Sequence, residues 1–157
     1  YPATDLISDI LSNGKSSRLN QNLVKSKKVF SNIDAFITGD IDEGLIVITG
    51  RLNDSISYET AEEAIYNELD NLANNGVSEY ELDKVKNRFE STFTFGLTSA
   101  TEKAMNLCYN ELLGDANLIN TTIKVYRSVT PDDIKRVANS IFRRENSSTL
   151  VYKAQKA

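Results

Sequence analysis

The side chains available for chemistry in this sequence are carboxylates and amines. Among 157 residues there are 22 Asp or Glu, 18 Lys or Arg, one Cys and no His. Histidine is the commonest general base near neutral pH and the commonest nitrogen ligand of zinc. Its absence excludes a Ser-His-Asp triad, a Cys-His pair and an H-x-x-E-H zinc helix from this chain. The lone Cys108 excludes a cysteine-rich zinc site and any internal disulfide. No metal ligand set and no catalytic residue is expected here. Any reaction must use carboxylates and lysines or be carried out by another chain.

Several clusters have an ordinary reading beside a functional one. Asp40, Asp42 and Glu43, with Gly44, suggest a calcium loop. The further ligands at fixed offsets and the closing Glu of an EF-hand are missing, so an acidic hairpin turn is expected instead. Cys108 shares an apolar helical stripe with Ala104 and Leu112, which predicts a packed thiol rather than a nucleophile. Asn53, Asn120 and Asn146 open N-x-Ser/Thr sequons and are read as chance matches. Phe89 and Phe93 are expected in the core.

The elements that must carry these residues follow from periodicity. Thr4 or Asp5 can cap a first helix bearing Leu6, Ile7, Ile10 and Leu11, stopped by Asn13-Gly14. Ser16 or Ser17 can cap a second helix with Leu19, Leu23 and Val24. Lys25, Lys27 and Lys28 lie at its end, where cations suit the helix dipole. Ser31 to Ile37 alternates as a strand. Leu45 to Gly50 reads as a second, central strand, so the two form an antiparallel hairpin. A helix from Ser57 closes at Asn75-Gly76. Ser78 and Glu81 form a capping box for the next helix, whose charged face (Lys84, Lys86, Arg88, Glu90) is expected to be solvated. Ala104, Leu107, Cys108 and Leu112 mark a further helix. Leu118 to Tyr126 marks a short one, and Thr130-Pro131-Asp132-Asp133 starts another. Ser148 to Tyr152 is expected to close the chain as a strand. Helices and strands do not alternate regularly, so the fold class is α+β, a mostly antiparallel sheet with helices packed on one face.

Composition narrows the class further. A formal charge of -4 and a pI of about 4.9 argue against nucleic acid, which needs clustered cations. No apolar run is long enough for a membrane span. Residue 1 is Tyr and the only methionine is Met105, so the chain reads as a piece of a longer protein. It is soluble, and its compartment is open between cytoplasm and periplasm.

Three segments, in order, resemble the insulinase/pitrilysin-like metallopeptidases in their C-terminal domain. They are Leu11-Ser12-Asn13-Gly14-Lys15-Ser16-Ser17-Arg18-Leu19, Gly76 to Arg88 (Gly76-Val77-Ser78-Glu79-Tyr80-Glu81-Leu82 onward) and Val129-Thr130-Pro131-Asp132-Asp133-Ile134. The first is the least generic, since capping alone does not demand Gly-x-Ser-Ser-Arg-Leu. The resemblance implies a half-domain of the mitochondrial-processing-peptidase-like type spanning residues 1–157. It would be the C-terminal half of a longer peptidase chain whose zinc domain and first strands lie outside this sequence. It implies zinc in that missing N-terminal domain and none here, a peptide substrate, and a zinc partner in cis or a homologous subunit in trans. The function implied is that of a non-catalytic domain that forms part of the peptide chamber and closes over the zinc domain. The alternative is an inactive binding or assembly subunit of a heteromeric complex.

Many members of that family supply an Arg and a Tyr from this half to the substrate carbonyl. Lys25 stands where the resemblance places the Arg and Ser31 where it places the Tyr; a shift of one brings in Phe30. A lysine keeps the charge without the guanidinium fork. Lys25 is thus a candidate substrate contact, against a solvated helix-end lysine. Arg18 is a candidate for a substrate carboxylate, against local pairing that orients the second helix.

Overall fold

The structure, a computed structural model, describes residues 1–39, 41–42 and 44–153. Helix α1 (Pro2–Ser12) begins with Pro2 in its first turn, where a missing N–H leaves no bond unmade. It therefore starts ahead of Thr4 and Asp5, which lie inside its first turn rather than capping it. Leu6, Ile7, Ile10 and Leu11 are fully buried. Asn13 and Gly14 end the helix, Gly14 at a φ of +94° that L side chains avoid.

Strands β1 (Phe30–Ile37) and β2 (Ile46–Leu52) form an antiparallel hairpin with Ile33 opposite Gly50, Ala35 opposite Ile48 and Ile37 opposite Ile46. The register slips between Phe30 and Asn32, a β-bulge at Ser31. A Cβ on Gly50 would lie 2.8 Å from the Phe30 ring, so only glycine lets that ring lie across β2. Ile33 and Ala35 are buried, and α1 packs against β1.

On its other side α1 meets α6 (Pro131–Ile141) and α3 (Glu79–Gly96), and α2 (Tyr58–Asn75) packs on α6. Each of these three starts as its sequence dictates. Ser57 accepts from the Thr60 N–H, Ser78 from the Glu81 N–H, and Thr130 and Asp133 form a reciprocal capping box behind Pro131. Helix α4 (Ala100–Leu112), a 3-10 turn (Ala116–Asn120) and α5 (Thr122–Ser128) connect α3 to α6. The fold is α+β, an antiparallel hairpin with its helices on one face.

Four further expectations are corrected. Ser148 to Tyr152 is not a strand, and Leu150 and Tyr152 are each 93% exposed. A strand needs a partner's backbone, and the described sheet has only two strands. For the same reason β2 is not central, and Thr49 and Arg51 are exposed. The α3 face is solvated except at Lys86, which is buried and donates to the Arg127 carbonyl at 3.1 Å. Cys108 is exposed, with Met105 and Leu112 beside it on α4. Periodicity reports which face of a helix is apolar; burial also requires something to cover it. Asp40 and Glu43 of the proposed turn lie outside the described residues.

Candidate functional site

The Gly14-to-Leu19 segment is where three helices are joined. Ser17, buried, donates its Oγ–H to the Gly14 carbonyl at 2.7 Å. From α3, Lys84 reaches the Ser16 carbonyl at 3.2 Å and Arg88 the Asn13 carbonyl at 3.2 Å. The Asn13 carbonyl closes α1, where a cation complements the helix end. Arg18 donates Nε and Nη2 to the two Glu81 oxygens at 2.9 and 2.7 Å, and Nη2 also to the Gly76 carbonyl at 2.8 Å. One guanidinium thus ties the end of α2 to the start of α3, with the geometry lysine cannot supply. Glu81 thus faces Arg18 instead of completing a reciprocal cap on Ser78.

Beyond Leu19 the backbone turns irregular three times in a dozen residues. Asn20–Ser26 is a π-helix, closed by Lys27 N–H to the Asn22 carbonyl at 2.9 Å. Lys28 has a φ of +53°. The Ser31 bulge follows. The wide turn lets Asn22 and Lys27, five apart, both reach the buried Glu68 of α2, at 2.7 and 3.4 Å. Asn53 holds the left-handed Lys28, its Nδ2 donating to the Lys28 carbonyl at 2.6 Å and its N–H to the Val29 carbonyl at 3.0 Å. Irregular backbone of this kind persists only where its surroundings over-determine it, and it clusters at functional sites.

Lys25 lies in the last turn of the π-helix. It is exposed, with Nζ 3.1 Å from the Lys15 carbonyl. Ser31 is exposed and donates to the Arg51 carbonyl at 3.1 Å, while Phe30 is buried. Ser31, Arg51, Leu52, Asn53 and Asp54 line a shallow cleft. Such a surface offers a cation, Arg51, and a carboxylate, Asp54, side by side.

A second polar region lies along α1. Asp5 accepts from Tyr126 Oη–H at 2.7 Å and Asp9 from Asn13 Nδ2 at 2.5 Å. Burial pushes both carboxyls above their ordinary value of 3.8, and these neutral donors pull them back only in part. Burial, then the Asp5 charge, raises the Tyr126 phenol strongly. Its ring stacks on Phe89 with centroids 3.5 Å apart.

Comparison with known proteins decides the family. The family of the peptidase M16 inactive domain matches residues 1–89, more than half of the chain. The chain belongs to that family. It is 26% identical over 151 residues to the zinc protease PqqE of Helicobacter pylori, spanning 96% of this chain and 34% of that one. Among solved structures, a protease from Helicobacter pylori superposes with a TM-score of 0.83 at 26% identity, over 90% of this chain and 34% of that one. An inactive peptidase domain from Bordetella parapertussis superposes with a TM-score of 0.83 at 23% identity, over 93% of this chain and 79% of that one. The M16 inactive domain described here therefore spans about a third of its curated relative.

The donor set of this M16 inactive domain does not fit zinc. It has no imidazole, its one thiol is isolated on α4, and no three metal-ligating side chains converge among the described residues. No helix among them is long and apolar enough to cross a membrane. Sequence reasoning singled out Arg18 and Lys25 but missed Glu68, Asn22 and the Asp5–Tyr126 contact. The Asp5/Asp9 spacing on one helix face was a readable signal; the π-turn that brings Asn22 and Lys27 to Glu68 was not.

Proposed function

We propose that residues 1–157 are the non-catalytic C-terminal half-domain of a zinc-dependent metalloendopeptidase. The domain walls part of a peptide-binding chamber and closes over a zinc domain in the same chain or a homologous subunit. The match to an inactive peptidase domain, over a span of about a third of a relative named as a zinc protease, carries this reading. Zinc, held by the other half, would polarise the scissile carbonyl. This half supplies peptide contacts and shape. Arg18 keeps the Gly14–Leu19 loop and the α2–α3 turn in one arrangement. Lys25, exposed at the end of the π-helix, offers a charged donor to the peptide.

The test uses the full-length protein: zinc per chain by elemental analysis, and hydrolysis of a quenched peptide before and after chelation. About one zinc per chain with chelator-sensitive cleavage is expected. Lys25→Ala should then lower kcat/KM about tenfold or more with zinc content unchanged. No zinc and no cleavage would favour the binding-subunit reading, which the Lys25 and Ser31 departures from the family's Arg and Tyr already suggest.

A further inference from the structure

Of the carboxylates on α2, only Glu68 is buried. A charge in that position persists only where donors replace the water it has lost. Both donors come from the π-helix, 46 and 41 residues earlier in the chain: Asn22 Nδ2 meets one oxygen at 2.7 Å and Lys27 Nζ the other at 3.4 Å. Lys27 is half-exposed, and an ion pair open to water stabilises little by itself. What is costly is a buried carboxylate left with one donor or none.

That requirement selects the backbone. Five residues make about 1.4 turns of an α-helix, which would set Asn22 and Lys27 about 140° apart around the axis, on different sides of it. An i→i+5 turn holds more residues and brings the two onto one face. The bond that makes this turn, Lys27 N–H to the Asn22 carbonyl at 2.9 Å, joins the same two residues. Glu68 therefore clamps both ends of the turn, and Lys25 lies inside it. Lys25 Nζ rests on the Lys15 carbonyl at 3.1 Å, beside Gln21 Nε2 at 2.5 Å. The left-handed Lys28 is held separately by Asn53. Asn53 thus secures the exit of the segment and Glu68 its turn.

We propose that Glu68 is a positioning residue, whose carboxylate fixes the π-turn and so holds Lys25 in place for the peptide. Glu68 touches no substrate; it acts through Asn22 and Lys27. The inference rests on the reading of Lys25 as a peptide contact. The clamp itself has readouts that need neither zinc nor cleavage, so the two can fail separately.

The experiment uses the full-length protein and Glu68→Gln, which keeps the shape and one acceptor oxygen but turns an amide toward a donor. Two readouts report the clamp: hydrogen exchange at the Lys27 amide, and acylation of Lys25 by an amine reagent with the exposed Lys103 as reference. Glu68→Gln should speed both about fivefold, with a melting transition that shows it is folded. Asn22→Ser, which withdraws one donor and leaves the buried residue intact, should act in the same direction. Adding Asn22→Asp to Glu68→Gln should restore both readouts, because the introduced amide can donate to the introduced carboxylate while its oxygen accepts from Lys27. Unchanged exchange and labelling, or no rescue, would overturn the proposal. In peptide cleavage, Glu68→Gln should lower kcat/KM about fivefold, yet add nothing to the loss caused by Lys25→Ala. Equal fractional losses with and without Lys25 would mean that Glu68 acts by another route and would overturn it as well. If Lys25→Ala is silent in cleavage while the clamp readouts respond, the peptide-contact reading fails and the clamp stands.

Discussion

Helices α1 and α4 are of similar length and both carry an apolar stripe, yet one is the centre of the molecule and the other lies almost bare. On α1, Leu6, Ile7, Ile10 and Leu11 are fully buried between β1, α3 and α6. On α4, Met105 and Leu112 are more than 60% exposed, and the helix meets chiefly the 3-10 turn that follows it. The stripe is a property of the chain; its burial is a property of what arrives to cover it. The α1 stripe is covered from within residues 1–157, and the α4 stripe is not.

The comparison breaks most directly at single leucines. Leu11→Ala should cost about 2–5 kcal/mol in urea unfolding, because it opens a cavity with no exposed wall. Leu112→Ala should fall within about 0.5 kcal/mol of the parent. Equal losses would mean that α4 is buried in solution and that the contrast is false.

The next largest effect tests what fixes α1 to α2 and α3. Arg18→Ala should cost about 1–3 kcal/mol, because Glu81 and the Gly76 carbonyl lose their partner in a half-buried site. A double-mutant cycle with Glu81→Ala should show coupling of about 1 kcal/mol. No coupling would leave the loop held by Lys84 and Arg88 alone.

Caps sharpen the same contrast. Thr130→Ala, which removes a reciprocal box from the buried α6, should cost about 1–2 kcal/mol, whereas Ser99→Ala on α4 should cost about 0.5 kcal/mol. The Ser99 bond is long, 3.4 Å, and the helix it starts is little anchored.

The smallest effect is in pH. The Asp5 and Asp9 carboxyls are raised above 3.8 by burial. Between that ordinary value and the raised one the native state holds more protons, so their burden on stability is lifted as pH falls. Asp5→Asn/Asp9→Asn should therefore be more stable than the parent near about pH 7, with the difference vanishing by about pH 3. Asp133 has the opposite sign. The Thr130 N–H and then its hydroxyl pull its value down to about 2. Its stabilisation is complete above 3.8 and is lost as pH falls toward 2, so Asp133→Asn should be weaker at neutral pH and converge with the parent in acid.

Much of this was legible in advance, for local reasons. Ser57, Ser78 and Thr130-Pro131 start helices because each satisfies free N–H groups within its own turn. Asn13-Gly14 stops one because glycine tolerates a positive φ. The apolar spacing of α1 and α6 named their buried faces, and the zero histidine count excluded a zinc-histidine site whatever the fold. The family resemblance was carried by short segments, and the structure shows why two of them travel together: Arg18 of one grips Glu81 and Gly76 of the other.

Tertiary structure alone decided the rest, because those outcomes depend on contacts between residues far apart in the chain. Glu81 could cap its own helix or pair with Arg18, and only packing α3 against the Gly14–Leu19 loop selects between them. Lys86 belonged by period to a polar face, yet α5 supplies the Arg127 carbonyl that lets it be buried. The π-turn at Asn20–Ser26 exists where Glu68, far off in sequence, needs both Asn22 and Lys27. Ser148 to Tyr152 has the composition of a strand but pairs with neither β1 nor β2. Local chemistry determines where elements begin, end and turn their apolar side; burial, pairing and ion-pair choice are settled when the elements meet.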